Sequence, residues 1–551
     1  MDRVYRYIVL MSAALLPLAA AAQNLDPTVE VSRAYEGNLV EVHKPVMQIS
    51  VPDTVRHFRL DFDYSVFDSP YKGSYEFNPY MASMRPAASE PDLNTFYLKA
   101  GAGYRLHPSA DLIWSPSFRK GFRLDVYANH RSYVGDYRNT SFDGYGTGWK
   151  GYDLKTKAGV CGRYEWRKGT LDFDVAYLGV HSKDTIKHRG LDAVDVSFGI
   201  ASKQARTFVY DVDVDYRFAD DKVNGHQAGT ALREHLFSID ADLGPQFNVA
   251  HRILFDLGAD LAFASGASEW GSARMHITPH YVFNKGRWQI DAGAKIDFLV
   301  GSDAPQQIIY PDVHVEFTVI RNAMNLYAKA VGGTSLNTYS GLVSRNHFAD
   351  PSYIRGKGLD SNIERVRALA GFKGRIGSRF SYDVRGGYAG YANHIFDAVL
   401  KDGSRFFPAV GFSSFQKAFA EIDCLFDSER FRFDGTVSYS HFWGFQSSQP
   451  VFAPASFVAD ASLEYNIRKR IFFGVDCLYT SERVMTGLFE GQEQPLKVPS
   501  FTDLGVSLEV AASRKLSFWA RGGNLLNMTI RRTPFYAEGG IYFTAGICLK
   551  L

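Results

Sequence analysis

One pattern recurs along most of this 551-residue chain. Runs of roughly ten to fifteen residues alternate apolar and polar side chains, and clusters of turn residues separate the runs. Successive side chains of a β-strand point to opposite faces, so each run encodes a strand with one apolar and one polar side. Within 152–166, Tyr152, Leu154, Thr156, Ala158, Val160, Tyr164 and Trp166 share one face, while Asp153, Lys155, Lys157, Arg163 and Glu165 share the other. Phe208, Tyr210, Val212, Val214 and Tyr216 oppose Asp211, Asp213, Asp215 and Arg217 in the same way. So do Trp288, Ile290, Ala292, Ala294, Ile296 and Phe298 against Gln289, Asp291, Lys295 and Asp297. Strands of soluble sandwiches usually run to about five or six residues. These are about twice as long.

The runs continue from residue 94 to Leu551, and about 22 of them can be counted. Their connections alternate in length. Tight turns follow the even runs: Arg119-Lys120-Gly121, Arg167-Lys168-Gly169, Asn284-Lys285-Gly286, Arg321-Asn322, Gly377-Ser378, Arg468-Lys469 and Ser513-Arg514. Long stretches follow most odd runs, at 133–151, 334–362, 393–413, 481–499 and 523–540, with the short His107-Pro108 as the exception. The expected fold is all-β: a transmembrane antiparallel β-barrel of about 22 strands, with short periplasmic turns and long extracellular loops. A solenoid or a set of sandwiches would show no such alternation in loop length.

The amino end differs from the rest. Arg3 and Arg6 precede an apolar stretch from Ile8 to Ala22, which is too short for a comfortable membrane helix of about 20 residues. It reads as a signal peptide over 1–22, cleaved between Ala22 and Gln23. Residues 23–93 are punctuated by prolines and read as a short extended segment, periplasmic or lumenal, ahead of a barrel over 94–551. A formal net charge of +2 offers no basic footprint for nucleic acid. Four Cys are too few for a disulfide scaffold.

The last run keeps its alternation to the final residue, with Ile541, Phe543, Ala545, Ile547, Leu549 and Leu551 on one face. With Leu478-Tyr479-Thr480-Ser481-Glu482-Arg483, Val498-Pro499-Ser500-Phe501-Thr502-Asp503-Leu504, Leu516-Ser517-Phe518-Trp519-Ala520 and Gly523-Asn524-Leu525-Leu526-Asn527, the carboxy-terminal region resembles the last strands of TonB-dependent receptors of Bacteroides-type Gram-negative bacteria. The resemblance implies a 22-strand outer-membrane barrel that serves transport or reception. It also implies a folded plug, for which the 71 residues from Gln23 to Leu93 are too few. A barrel this wide must be filled, because even 16 to 18 strands leave an aqueous channel. The fillers to expect are the front segment, infolded loops, or a separate plug, lipoprotein or periplasmic partner.

The polar faces carry the candidate lumen-lining residues: Asp211, Asp213, Asp215, Asp291 and Asp297 in an acidic arc, with Lys155, Lys157, Arg365 and Arg367 in basic arcs. Such a partition could orient a charged solute, or the charges could pair across neighbouring strands. No catalytic, cofactor or metal constellation emerges. His276 and His280 have the i, i+4 spacing of a helical metal site, but four residues of strand span roughly 13 Å. Glu234-His235 is the one acid–imidazole neighbour pair near a strand end that a hydrolase could use. The stretch Gly146-Thr147-Gly148-Trp149-Lys150-Gly151 matches a dinucleotide fingerprint but lacks the βαβ setting that gives it meaning. The expected function is an outer-membrane transport or receptor barrel that contacts lipid and an unspecified small solute. The alternatives are an accessory barrel of an outer-membrane complex and an outer-membrane hydrolase.

Overall fold

The structure, a computed structural model, describes residues 95–551 except 105–107, 117, 119–120, 140–147, 184–187, 204–207, 225–230, 249, 268, 302–305, 350, 352–353, 355–357, 403–404 and 488–493. The expectations for Ala22, Gln23 and the segment 23–93 lie outside the described residues.

Twenty-two strands form one antiparallel ladder. In chain order they are Phe96–Tyr104, Ser109–Trp114, Phe122–Asn139, Gly148–Trp166, Gly169–Lys183, His188–Ser202, Phe208–Asn224, Leu232–Pro245, His251–Gly266, Trp270–Lys285 and Trp288–Val300. They continue as Gln306–Ile320, Met324–Ser335, Asn362–Ile376, Phe380–Asn393, Arg405–Asp427, Phe431–Ser447, Phe457–Ile467, Ile471–Thr480, Phe501–Ala511, Leu516–Gly523 and Tyr542–Lys550. Each pairs with the next, and the last pairs with the first, Tyr97 opposite Lys550 and Tyr104 opposite Phe543. The sheet is therefore a closed barrel without an open edge. Every expected segment corresponds to one of these strands.

The two-residue period sorts the wall into two faces. Phe198, Phe263, Ile277 and Phe518 stand 52, 54, 43 and 52% exposed on one of them. Exposed apolar side chains this numerous need apolar surroundings. The other face carries the charges, with Arg163 opposite Asp172 and Asp213 opposite Asp240.

Tight turns at one end use left-handed backbone where the sequence offers Gly or Asn: Gly121 (φ 91°), Gly286 (φ 69°), Gly377 (φ 63°) and Asn322 (φ 61°). The turn at Arg468 (φ 53°) and Lys469 (φ 55°) adopts the same conformation without either residue. The Asn466 side chain steadies it by accepting the Lys469 N–H at 2.7 Å. In the Asn-Leu-Leu-Asn element, Asn524 (φ 47°) is buried, and its side-chain amide both donates to the Met528 carbonyl (2.7 Å) and accepts the Met528 N–H (2.9 Å).

At the other end, strands run further than the alternation suggests. The expected loop 133–151 is mostly hairpin, since Tyr133 pairs with Asp153 and Tyr137 with Trp149. The reason is tertiary: Tyr137 is 1% exposed and packs edge-on against Phe348, 5.3 Å between ring centres. Beyond the ladder, the short strands Ile395–Asp402, Val451–Phe452, Arg483–Thr486 and Lys497–Val498 form a further layer. Val399, Phe452, Met485, Val498 and Phe535 are its core.

Candidate functional site

The connection 336–361 joins adjacent strands, Met324–Ser335 and Asn362–Ile376, yet it reaches the wall far from both. His347 Nδ1 lies 2.6 Å from Asp153 on the strand Gly148–Trp166, and the Ser182 hydroxyl donates to the His347 carbonyl at 2.7 Å. Phe348 stacks on Tyr536, 4.4 Å between ring centres. Its apolar side chains Tyr339, Leu342, Val343, Ala349, Ile354 and Leu359 are buried with Leu178, Val180, Leu191, Ala193, Leu232 and Ala262. These wall residues alternate with outward-exposed Tyr177, Val194 and Phe263, so the loop runs along the inner face.

A polar clamp fixes it. Thr338 caps the helix Tyr339–Arg345 by accepting the Gly341 N–H at 3.0 Å. The fully buried Glu234 carboxylate accepts the N–H groups of Tyr339 (2.6 Å) and Ser340 (2.9 Å). Beside it, buried Arg189 pairs with buried Asp221, and the Tyr339 hydroxyl donates to Asp221 while accepting from Arg189 at 2.5 Å. Burial pushes the Tyr339 phenol well above its ordinary range, so it stays a donor. Charge-assisted bonds contribute about 1.5–3 kcal/mol each, and removing one partner of a buried ion pair costs about 3–5 kcal/mol.

Glu234 is thus committed to the loop, while His235 lies on the outward face beside Tyr216, whose hydroxyl is 2.9 Å from His235 Nδ1. The two neighbours do not converge. That removes the pair a hydrolase could use.

The acidic candidates fall together. Asp211 stands opposite Asp242, which in turn stands opposite Asp256, and Asp213 stands opposite Asp240. Among the described residues, no cation lies within ion-pair distance of Asp211, Asp213, Asp215 or Asp242. Asp291 accepts from His280 Nδ1 at 2.9 Å. Asp297 shares the face but is sealed, 0% exposed, and accepts the N–H of Thr334 (2.9 Å) and its hydroxyl. As a pore-lining charge it is corrected to a structural acid, because Thr334, near the end of the strand Met324–Ser335, covers it.

Of the basic candidates, Arg367 is neutralised by a carboxylate, as are two further cations of the wall. Arg367 binds Glu364 at 2.6 Å, Lys373 binds Glu316 at 2.7 Å, and Arg385 binds Glu421 and Asp423 at 2.7 Å each. Lys157 sits over the Tyr127 ring, 5.8 Å from its centre. No carboxylate lies within ion-pair distance of Arg365 or Lys155 among the described residues. The wall therefore keeps an acidic sector, and among the described residues Lys155, Lys157 and Arg365 remain cations outside any ion pair.

Two cavities border the loop. One of about 640 Å³ is lined by Lys155, Asp153, Arg131, Glu509, Arg521 and His347, among others. A second of about 520 Å³ lies against Lys157, Asp215, Asp260, Arg274, the strand-end residue Ser335 and the loop residues Leu336 and Thr338. Both linings mix charged groups with apolar surface, such as Trp519 in the first and Leu236 and Phe237 in the second.

Sequence reasoning did not identify the clamp or the loop's apolar socket. Both leave a trace in the alternation, which lapses where the inward face also turns apolar: Val175-Ala176-Tyr177-Leu178 and Leu261-Ala262-Phe263-Ala264.

A scan against protein-family models and a search of curated proteins both find no match. Solved structures do match. The FrpB iron transporter from Neisseria meningitidis aligns with a TM-score of 0.64 at 10% identity, covering 84% of this chain and 81% of that one. The copper transporter OprC aligns at 0.61 and 10% identity, covering 83% and 80%. The siderophore receptor PirA from Acinetobacter baumannii aligns at 0.60 and 10% identity, covering 83% and 80%. At this identity the likeness is one of fold: the chain has the architecture of these closed barrels.

Proposed function

We propose that this chain is an outer-membrane transport or receptor barrel, exported by a cleaved signal peptide and similar in its wall to TonB-dependent receptors but with too short a front segment for their full plug. The observation that carries the reading is the inner face: an acidic sector with few counter-charges, bordered by cavities and crossed by the clamped loop 336–361. A closed 22-stranded wall with an apolar outer face supports placement in lipid. The transporters and receptors named above share that wall. The acidic arc, with Asp211, Asp213 and Asp215, faces the path of a small solute and favours cations over anions. Lys155, Lys157 and Arg365 face the same path, Lys157 beside Asp215 in the smaller cavity.

The buried clamp also favours a second reading, in which the loop permanently closes the barrel and the protein serves as an accessory platform for a partner. Liposomes containing the full chain separate the two. Entry of small cationic solutes ahead of anionic ones of the same size supports the transport reading. Impermeable liposomes, together with a stable partner that copurifies from native membrane, would replace it with the platform.

A further inference from the structure

His276 does not join His280, as its helical spacing would suggest, but meets two carboxylates from neighbouring strands. Its Nε2 is 3.1 Å from Asp256 Oδ1 and 3.9 Å from Asp240 Oδ1. One ligand atom from each of the three residues lies within 4.8 Å of the others. From the strands Leu232–Pro245, His251–Gly266 and Trp270–Lys285, we infer a divalent-cation site held by Asp240, Asp256 and His276 on the inner wall.

Four observations converge. First, the convergence depends on Gly258, which stands opposite both Asp240 and His276 in the ladder. A Cβ there would lie 2.0 Å from His276 Cε1 and 2.6 Å from Asp240 Oδ1, so the missing side chain is what lets the two groups close over the middle strand. Second, Thr278 stands directly across from Asp256 and is 1% exposed, so its hydroxyl lies beside that carboxylate and helps fix it in the cluster. Third, Asp242 directly opposes Asp256, and like charges facing across a ladder destabilise it unless a cation intervenes. Fourth, His276 is itself almost fully buried, so its ring is held in place before any ion arrives.

Two carboxylates and one imidazole are a mixed oxygen and nitrogen set that suits a first-row divalent ion such as Zn²⁺. Zn–ligand bonds of about 2.0–2.1 Å put tetrahedral ligands roughly 3.3 Å apart, a contraction that the partly exposed aspartates of the inner wall can make. Binding through Nε2 moves the ring proton to Nδ1. The long 3.4 Å contact from Arg274 to Nδ1 then lapses, while Arg274 keeps Asp260 (2.6 Å) and the Thr334 carbonyl. The inference does not depend on transport, because the site is read by binding alone.

The test is Zn²⁺ titration, by competition with a chromophoric chelator, of the full chain purified in detergent without a histidine tag. The expected result is one ion per chain, with binding weakened at least about tenfold in Asp240→Asn and in His276→Gln. His280→Gln, on the same strand and face but outside the cluster, should bind as wild type. Zinc X-ray absorption of the wild type should show an oxygen and nitrogen shell with one imidazole and no sulfur, a readout that stands even where a variant fails to fold. No stoichiometric ion in the wild type, sulfur in the shell, or wild-type affinity in both cluster variants would overturn the inference.

Discussion

Glu234 on the barrel wall accepts the backbone N–H of Tyr339 at 2.6 Å across 105 positions of sequence, and Ser340 adds a second bond at 2.9 Å. This single carboxylate ties the longest described connection to the inside of the barrel. Glu234→Ala leaves two buried N–H groups without an acceptor, at a cost of about 2–4 kcal/mol to loop docking. Trypsin should then cut near Arg345 markedly faster than in the wild type, while the heat-resistant migration of the folded barrel stays intact. Equal cutting rates would show that the clamp does not hold the loop.

The acidic sector makes a second prediction. Asp211, Asp213 and Asp215 replaced together by Asn should move the reversal potential under a salt gradient toward anions. An unmoved potential would place these residues away from the path.

The apolar face is tested by Ile277→Arg. Ile277 is 43% exposed near the middle of its strand, between Leu257 and Ile296 in the ladder. A cation there costs about 2–4 kcal/mol in a bilayer, to be read as a shift of urea unfolding in lipid vesicles. No shift would mean this face does not meet lipid.

The turn at Arg468-Lys469 holds two long side chains in left-handed backbone. Arg468→Asn with Lys469→Gly should raise stability by about 1 kcal/mol, because these residues adopt that conformation at little cost. Lower stability in the same unfolding experiment would contradict the turn geometry.

Gly258→Ala is the complementary test of close packing. Its Cβ would lie 2.0 Å from His276 Cε1, so the imidazole must leave its place, at a cost of about 1–3 kcal/mol.

What could be read from the sequence followed from the period of two. The stretches 210–218 and 288–298 carry unbroken alternation, so these strands and both their faces are legible in the sequence. The reach of the hairpin around Tyr133 and Tyr137 was not, because its partner Phe348 lies over two hundred positions away. Glu234 reads as half of an acid–imidazole pair with His235, and nothing in the alternation sets Asp221 apart. Only the ladder, which brings them under Tyr339, shows that they are buried and bound. Asp240, Asp256 and His276 were equally scattered along the chain, and pairing across three strands joins them.

The central claim is that a solute path runs through this barrel and that the clamped loop 336–361 narrows it. Single-channel recording of the full chain beside Glu234→Ala and Asp221→Ala tests this most directly. The account predicts small, cation-selective currents in the wild type and clearly larger ones once either clamp residue is removed. Identical conductance in all three proteins, with the loop shown by proteolysis to be released, would contradict it.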